Sequence, residues 1–257
     1  MKSVLFILIF AIAGMVVAQQ DQSLYRKQHL TPHKWSYDGM YGPEHWKELD
    51  EEFRTCDGIL QSPINIAPDQ CPEVHIDLTF HYRPFLVDLV NNGYTLIERV
   101  VELKALTFNH TDYTLLQFHF HTPSEHQVDG EGYPMEIHFV HQSSKGKYAV
   151  LAVFMEEGDK QNAFLAHFMN ALPTHVMEEI RTTEQADVME TMPADPSSFY
   201  FYDGSLTTPP CTEGVNWIIL KEPVMATSEQ IEAIHCIIEN DNRPIQDLND
   251  RVVFWSH

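Results

Sequence analysis

Six stretches of the chain are rich in β-branched and aromatic residues: Val74 to Phe80, Tyr94 to Leu103, Asp112 to His121, Met135 to His141, Lys147 to Met155 and Val215 to Lys221. Turn-forming clusters such as Asn91-Asn92-Gly93 and Asp129-Gly130-Glu131-Gly132 break them up, so the stretches read as strands. Helices are expected at two places. Phe164, Leu165, Phe168 and Met169 recur at helical spacing within Gln161 to Leu172, and Thr227-Ser228-Glu229-Gln230 reads as a capping box ahead of Ile231, Ile234 and Ile238. Residues 173–198 form a long acidic connection of poor periodicity, which Pro173, Pro193 and Pro196 predict to be largely loop. No repeat or low-complexity segment interrupts the chain, and 257 residues suit one all-β domain better than two small ones.

Two of the expected strands carry histidines where apolar residues would be the ordinary choice. Gln117, His119 and His121 alternate with Phe118 and Phe120, and Glu136 and His138 alternate with Ile137 and Phe139. Alternate side chains of a strand share a face, so the polar set points one way and the apolar set points into a core. Two imidazoles two residues apart can lean onto one zinc ion, and a third from a neighbouring strand would leave the fourth tetrahedral position open, as catalysis requires. Gln117 and Glu136 are placed to accept the second ring N–H of a ligand histidine. Chemistry alone does not separate His138 from His141 as the third ligand.

These segments, with Ser124-Glu125-His126 and Gly204-Ser205-Leu206-Thr207-Thr208-Pro209-Pro210, resemble in order and spacing the signatures of the α-class carbonic anhydrases. The likeness extends to Tyr41-Gly42-Pro43-Glu44-His45-Trp46, Gln61-Ser62-Pro63-Ile64-Asn65-Ile66 and Asn242-Arg243-Pro244-Ile245-Gln246, and so covers residues 33–254. The resemblance implies a large twisted, mostly antiparallel sheet with a few peripheral helices, and zinc at the bottom of a cone that reaches the sheet. It implies reversible hydration of CO₂ to bicarbonate and a proton by attack of zinc-bound hydroxide, with His119, His121 and His138 as the ligands. It further implies that Thr207 accepts the hydrogen bond of the hydroxide and hands its own proton to Glu125. The substrate-contacting residues would be an apolar wall of Val140, Val150, Leu206, Val215 and Trp217, faced by a polar side with Tyr37, Asn92, Gln117 and Thr208. His126 and Tyr202 would form a buried polar support near Glu136. Tyr94 stands where fast members carry a proton-ferrying histidine. A phenol with a pKa of about 10 is a poor shuttle beside an imidazole at about 6.5, so proton export would limit turnover. Asp203 stands where many relatives have proline, and nothing in the sequence explains it.

Composition adds compartment. Residues 1–18 read as a signal peptide, with Lys2 at the start, an apolar run from Val4 to Ile12 and Val16-Val17-Ala18 at the cleavage site, which leaves 19–257 as the catalytic domain. No later stretch is long and apolar enough for a membrane span, and the expected location is secreted, extracellular. In that oxidising setting the four cysteines are disulfide candidates. The resemblance pairs Cys56 with Cys211, while Cys71 and Cys236 could pair together, stay free or link two chains as a dimer. The formal net charge of −21 argues against nucleic acid or an anionic membrane as partner. An acidic matrix or mineral-associated protein with a calcium-binding or structural role is the alternative reading of that charge. Asn109-His110-Thr111, in an expected turn, is a glycosylation sequon.

Overall fold

The computed structural model of the protein describes residues 34–257, and the leader predicted at 1–18 lies outside them. The strands are β1 (Asn65–Ile66), β2 (Leu78–Phe80), β3 (Phe85–Asn91), β4 (Leu96–Phe108), β5 (Thr111–His121), β6 (Gln127–Val128) and β7 (Met135–Ser143). They continue with β8 (Tyr148–Glu157), β9 (Glu179–Ala186), β10 (Phe199–Ser205), β11 (Glu213–Leu220), β12 (Val224–Ala226) and β13 (Phe254–Ser256). Three α-helices accompany them among the described residues: α1 (Trp46–Leu49), α2 (Ala163–Ala166) and α3 (Ser228–Ile238).

Eleven strands form one sheet in the order β13-β10-β11-β8-β7-β5-β4-β3-β9, with β12 pairing β8 and β2 pairing β4 outside that path. Most pairings are antiparallel, while β8 takes β11 and β12 in parallel, so the sheet is mixed. Its two faces bury different sets. Phe118, Phe120, Met135, Ile137 and Phe139 join Phe164 and Leu165 of α2 and Ile234 of α3 in the main apolar core. Val140, Val150, Val215 and Trp217 lie in a second cluster on the other face. The alternation read in β5 and β7 therefore has the physical cause proposed for it, a period of two that sorts residues between two buried faces.

The helix at the C-terminal end is capped as its sequence predicts. Thr227 Oγ1 accepts from Gln230 N, and Gln230 Oε1 accepts from Thr227 N. The helix expected over Gln161 to Leu172 is shorter, reduced to the single turn of α2. Beyond it Phe168 N and Ala171 N donate to the carbonyls three residues back, and these tighter turns bury Phe164, Leu165 and Phe168 as fully as a helix would. The loop expected over 173–198 is also corrected, because it contains β9, which pairs with β3 at the edge of the sheet. An edge strand needs no strict apolar alternation and is commonly charged, so Glu179-Ile180-Arg181 gave no strand signal. The strand expected over Val74 to Phe80 is confined to Leu78–Phe80, while Val74 N donates to Trp255 O.

Candidate metal centre

In the β5–β7 register His119 lies opposite His138 and His121 opposite Glu136, which gathers the predicted ligands on one face. One ring nitrogen from each of His119, His121 and His138 lies within 4.8 Å of the other two. The remaining nitrogens are spoken for. His119 Nδ1 donates to Gln117 Oε1 at 2.8 Å, and His138 Nε2 to Glu136 Oε1 at 2.8 Å. His121 Nδ1 donates to the backbone carbonyl of Asp241 at 2.7 Å. Each acceptor fixes the tautomer of the neutral ring, in which the nitrogens turned toward each other carry lone pairs rather than protons. His121 Nε2 is buried and has no hydrogen-bond partner, an arrangement that is costly unless another group takes the lone pair. Three neutral imidazoles with supported outer nitrogens are the donor set that suits zinc.

Asp241 is a site residue that sequence reasoning missed. Its contact is made by a backbone carbonyl, which leaves no side-chain signature. Its carboxyl is buried, accepts from Thr122 N at 2.9 Å and lies 3.6 Å from His121 Nδ1. Burial pushes it up to about 7, against the opposing pull of His121. Burial alone would depress His121, but the carboxylates of Glu125 and Asp241 outweigh it and hold the ring above its usual range. His138 goes the other way, since burial dominates over the attraction of Glu136.

Glu136 is the centre of the buried support. Its Oε2 accepts from the backbone N–H groups of Glu125 and His126 at 2.8 and 2.9 Å, and its Oε1 from the rings of His126 and His138. Burial would raise its pKa, yet the two imidazoles outweigh that and drive it well below the carboxylate range. The relay continues through His126 Nε2 to Tyr202, 2.7 Å away, and on to Ser62 Oγ at 2.8 Å. The support expected of His126 and Tyr202 is thus assembled.

The profile of the family described as eukaryotic-type carbonic anhydrase matches residues 41–257. The chain belongs to that family. The carbonic anhydrase of Klebsiella pneumoniae is 41% identical over 224 residues, which cover 85% of this chain and 89% of the relative. Among solved structures, the Photobacterium profundum α-carbonic anhydrase matches with a TM-score of 0.79 and 37% identity, covering 86% of this chain and 99% of its own. The Thermovibrio ammonificans enzyme, solved with the inhibitor sulfanilamide, matches with the same TM-score and identity, covering 86% and 98%. As a carbonic anhydrase the protein is an enzyme that acts on a small molecule.

Of the two candidates for third ligand, His138 faces the other two histidines, and His141 faces the opposite, apolar core. There His141 is fully buried with Nε2 2.8 Å from the Tyr82 hydroxyl, and burial pushes it down to about 4. The apolar wall is also brought together. Val140 pairs across the sheet with Val150, and Val150 with Trp217, on the face that carries His138. The Trp217 ring meets that of His138 edge-on at 4.8 Å, while Leu206 packs against the same cluster and Thr208 is half-buried nearby in sequence.

Thr207 is buried in the loop after β10, which is closed by Leu206 N to Thr212 O and Cys211 N to Thr208 O. Cys211 is bonded to Cys56, and Arg243 donates to Cys56 O, so the loop is tied to the body of the protein. Glu125 Oε1 accepts from Arg243 N at 2.9 Å, whereas its buried Oε2 has no hydrogen-bond partner. The hydrogen bond from Thr207 to Glu125 that the resemblance implies is therefore not formed here. Tyr94 stacks on Trp35 at 4.3 Å and donates to the Trp35 carbonyl at 2.5 Å. Burial raises its pKa further. Cys71 and Cys236 are both free, so they do not pair with each other. Among the described residues no helix is long and apolar enough to cross a membrane.

Proposed function

We propose that the protein carries out zinc-dependent, reversible hydration of CO₂ to bicarbonate and a proton, with His119, His121 and His138 holding the ion. The observation that carries this reading is the set of three converging imidazoles whose outer nitrogens are all engaged, with His121 Nε2 buried, without a hydrogen bond and 3.5 Å from Glu125 Oε2. Zinc held by such a set lowers the pKa of a coordinated water to about 7 and so furnishes a nucleophile at neutral pH, a magnitude measured on carbonic anhydrases themselves.

The protein's own residues supply position and polarity. Gln117, Glu136 and the Asp241 carbonyl hold each ring in the tautomer that can donate a lone pair. Thr207 stands on a loop anchored by the Cys56–Cys211 bond, and Glu125, whose Oε2 makes no hydrogen bond and lies 3.5 Å from His121 Nε2, would accept from its hydroxyl. With that bond formed, the Thr207 oxygen can only accept from the nucleophile, which orients it. Val140, Val150, Leu206, Val215 and Trp217 offer CO₂, which has no charge to grip, an apolar wall, and Thr208 borders its polar side. Tyr94, tied to Trp35, does not ferry the proton.

Secretion accords with the disulfide, which persists in an oxidising compartment. Asn109 would then be a glycan acceptor, exposed in the turn between β4 and β5, and the exposed Cys236 is the thiol available to link two chains. Stopped-flow CO₂ hydration with zinc content determined on the same sample tests the central reading. Activity that tracks zinc occupancy is expected, and a zinc-loaded protein without hydration activity would overturn it.

A further inference from the structure

A groove of about 460 Å³, which shares Trp217 and Tyr202 with the surroundings of the metal centre but none of its histidines, opens on the molecule, a size typical of sites that accept small ligands. Phe108, Asn109, Phe201, Asn216, Val252 and Phe254 are among its lining residues. Its floor is aromatic. The Phe201 and Phe254 rings stack at 5.3 Å, and Phe108 meets Phe201 edge-on at 6.0 Å. Polar capacity borders the floor, because Asn216 Nδ2 is held by the Tyr113 hydroxyl and the Tyr148 carbonyl, which leaves its amide oxygen to accept. Val252 is 48% exposed, a large apolar side chain on the open wall.

Asn109 is both a lining residue of this groove and the acceptor of the Asn109-His110-Thr111 sequon. It is exposed, and its turn is rigid. Asn109 and His110 have φ of 45° and 58°, the left-handed pair of a tight two-residue hairpin, and Asn109 N donates to Asp77 O at 3.0 Å. A chain of sugars attached here starts at the lip of the groove from a fixed root, so little freedom is lost when it lies down.

We propose that Asn109 carries an N-glycan whose first sugars dock in this groove, their C–H faces on the Phe201 and Phe254 rings and their hydroxyl or amide groups on Asn216. This rests on the secreted reading above. Aromatic faces suit the weakly positive C–H face of a pyranose, and neighbouring amides suit its hydroxyls. The occupant's charge also fits. The core of an N-glycan is neutral and meets no repulsion from a protein of formal net charge −21, whereas a second copy of the chain would.

The test uses the full chain secreted from a eukaryotic host, with peptide mapping of Asn109 and timed release of the glycan by a peptide N-glycosidase under native conditions. Wild type is compared with Phe201→Ala, and with Val252→Arg, whose exposed position spares the fold. Docking predicts release about tenfold slower in wild type than in either variant, the factor that corresponds to a tenfold excess of docked over free sugar. An occupied Asn109 released at equal rates from wild type and Val252→Arg would overturn docking and leave the secreted reading standing. An Asn109 that carries no glycan after secretion would overturn the docking and the glycan-acceptor reading together.

Discussion

His138 and His141 stand three residues apart on β7, both buried, and their surroundings treat them in opposite ways. His138 meets a face where Glu136 accepts its proton and His119 and His121 converge on it. His141 meets a face of phenylalanines and aliphatic residues, where the Tyr82 hydroxyl is its polar side-chain partner and the ring stays neutral down to about 4. Glu98 repeats the lesson on the apolar side. It pairs in register with Phe118, and burial pushes it up to about 8, aided by the Asp88 charge and only partly offset by a hydrogen bond from Asp88 N. Glu136, equally buried on the polar side, is driven well below the carboxylate range. Burial is common to all four groups. What differs is whether a partner of opposite demand is packed against them, and this decides which face can hold a cation and which can only hold the sheet together.

The largest effect should come from exchanging the two histidines' fates. His138→Ala is expected to strip zinc and abolish CO₂ hydration, while His141→Ala keeps metal and activity and loses about 1–3 kcal/mol of stability, because the buried ring and its hydrogen bond to the Tyr82 hydroxyl are removed. Metal analysis and thermal unfolding of both variants check this. Loss of zinc in His141→Ala with retention in His138→Ala would reverse the assignment of the faces.

Phe118→Ala probes the apolar face alone. Phe118 is fully buried among Phe120, Phe139 and Phe164, so chemical denaturation should read a loss of about 3–5 kcal/mol. Zinc stoichiometry of the folded fraction should not change. A folded variant with weakened zinc would mean that the faces are not independent.

Glu136→Gln acts on the polar face without removing a ligand. Its amide nitrogen would confront donors that the carboxylate now accepts, and zinc affinity should fall about 10–100-fold in competition with a chelator. An unchanged affinity would remove Glu136 from the support of the metal.

Glu98 predicts a smaller effect that depends on pH. The folded protein keeps its proton up to about 8, while the unfolded chain releases it near the ordinary value of 4.5. The unfolded state therefore binds fewer protons between those values, and the contribution of Glu98 to stability is complete below pH 4.5 and declines as pH rises through 8. Glu98→Gln should flatten that decline by on the order of 1 kcal/mol in denaturation midpoints measured from pH 5 to 9. Parallel pH profiles for the two proteins would show that Glu98 does not titrate in this window.

Tyr94→His should give the smallest change, a rise of about two- to fivefold in kcat in weak buffer with kcat/KM nearly constant, if removing the proton limits turnover. A wild-type rate that is high and independent of buffer would show that another group exports the proton.

Much of this was legible in the order of residues. Period-two alternation in Gln117 to His121 and Glu136 to Val140 predicted both strands, their two faces and the acceptors of His119 and His138, because side-chain direction in a strand follows from position alone. The Thr227 capping box was equally local. Where packing overrode local pattern the reading failed, as in the truncated α2 and the charged edge strand β9, since neither a turn nor an edge needs the periodicity that announces it.

Parity of position along a strand is covalent information, and it puts His138 and His141 on opposite faces, but only the register of β7 on β5 sets His138 beside His119 and His121. What stands against each face comes from segments far away in the chain. Asp241 reaches His121 across 120 residues, Tyr82 reaches His141 across 59, and Cys211 meets Cys56 across 155. Those contacts form only when the sheet closes, so the charge states of buried groups and the Glu125 oxygen without a hydrogen bond belong to the folded molecule, where neighbours rather than residue type set the energy of a proton.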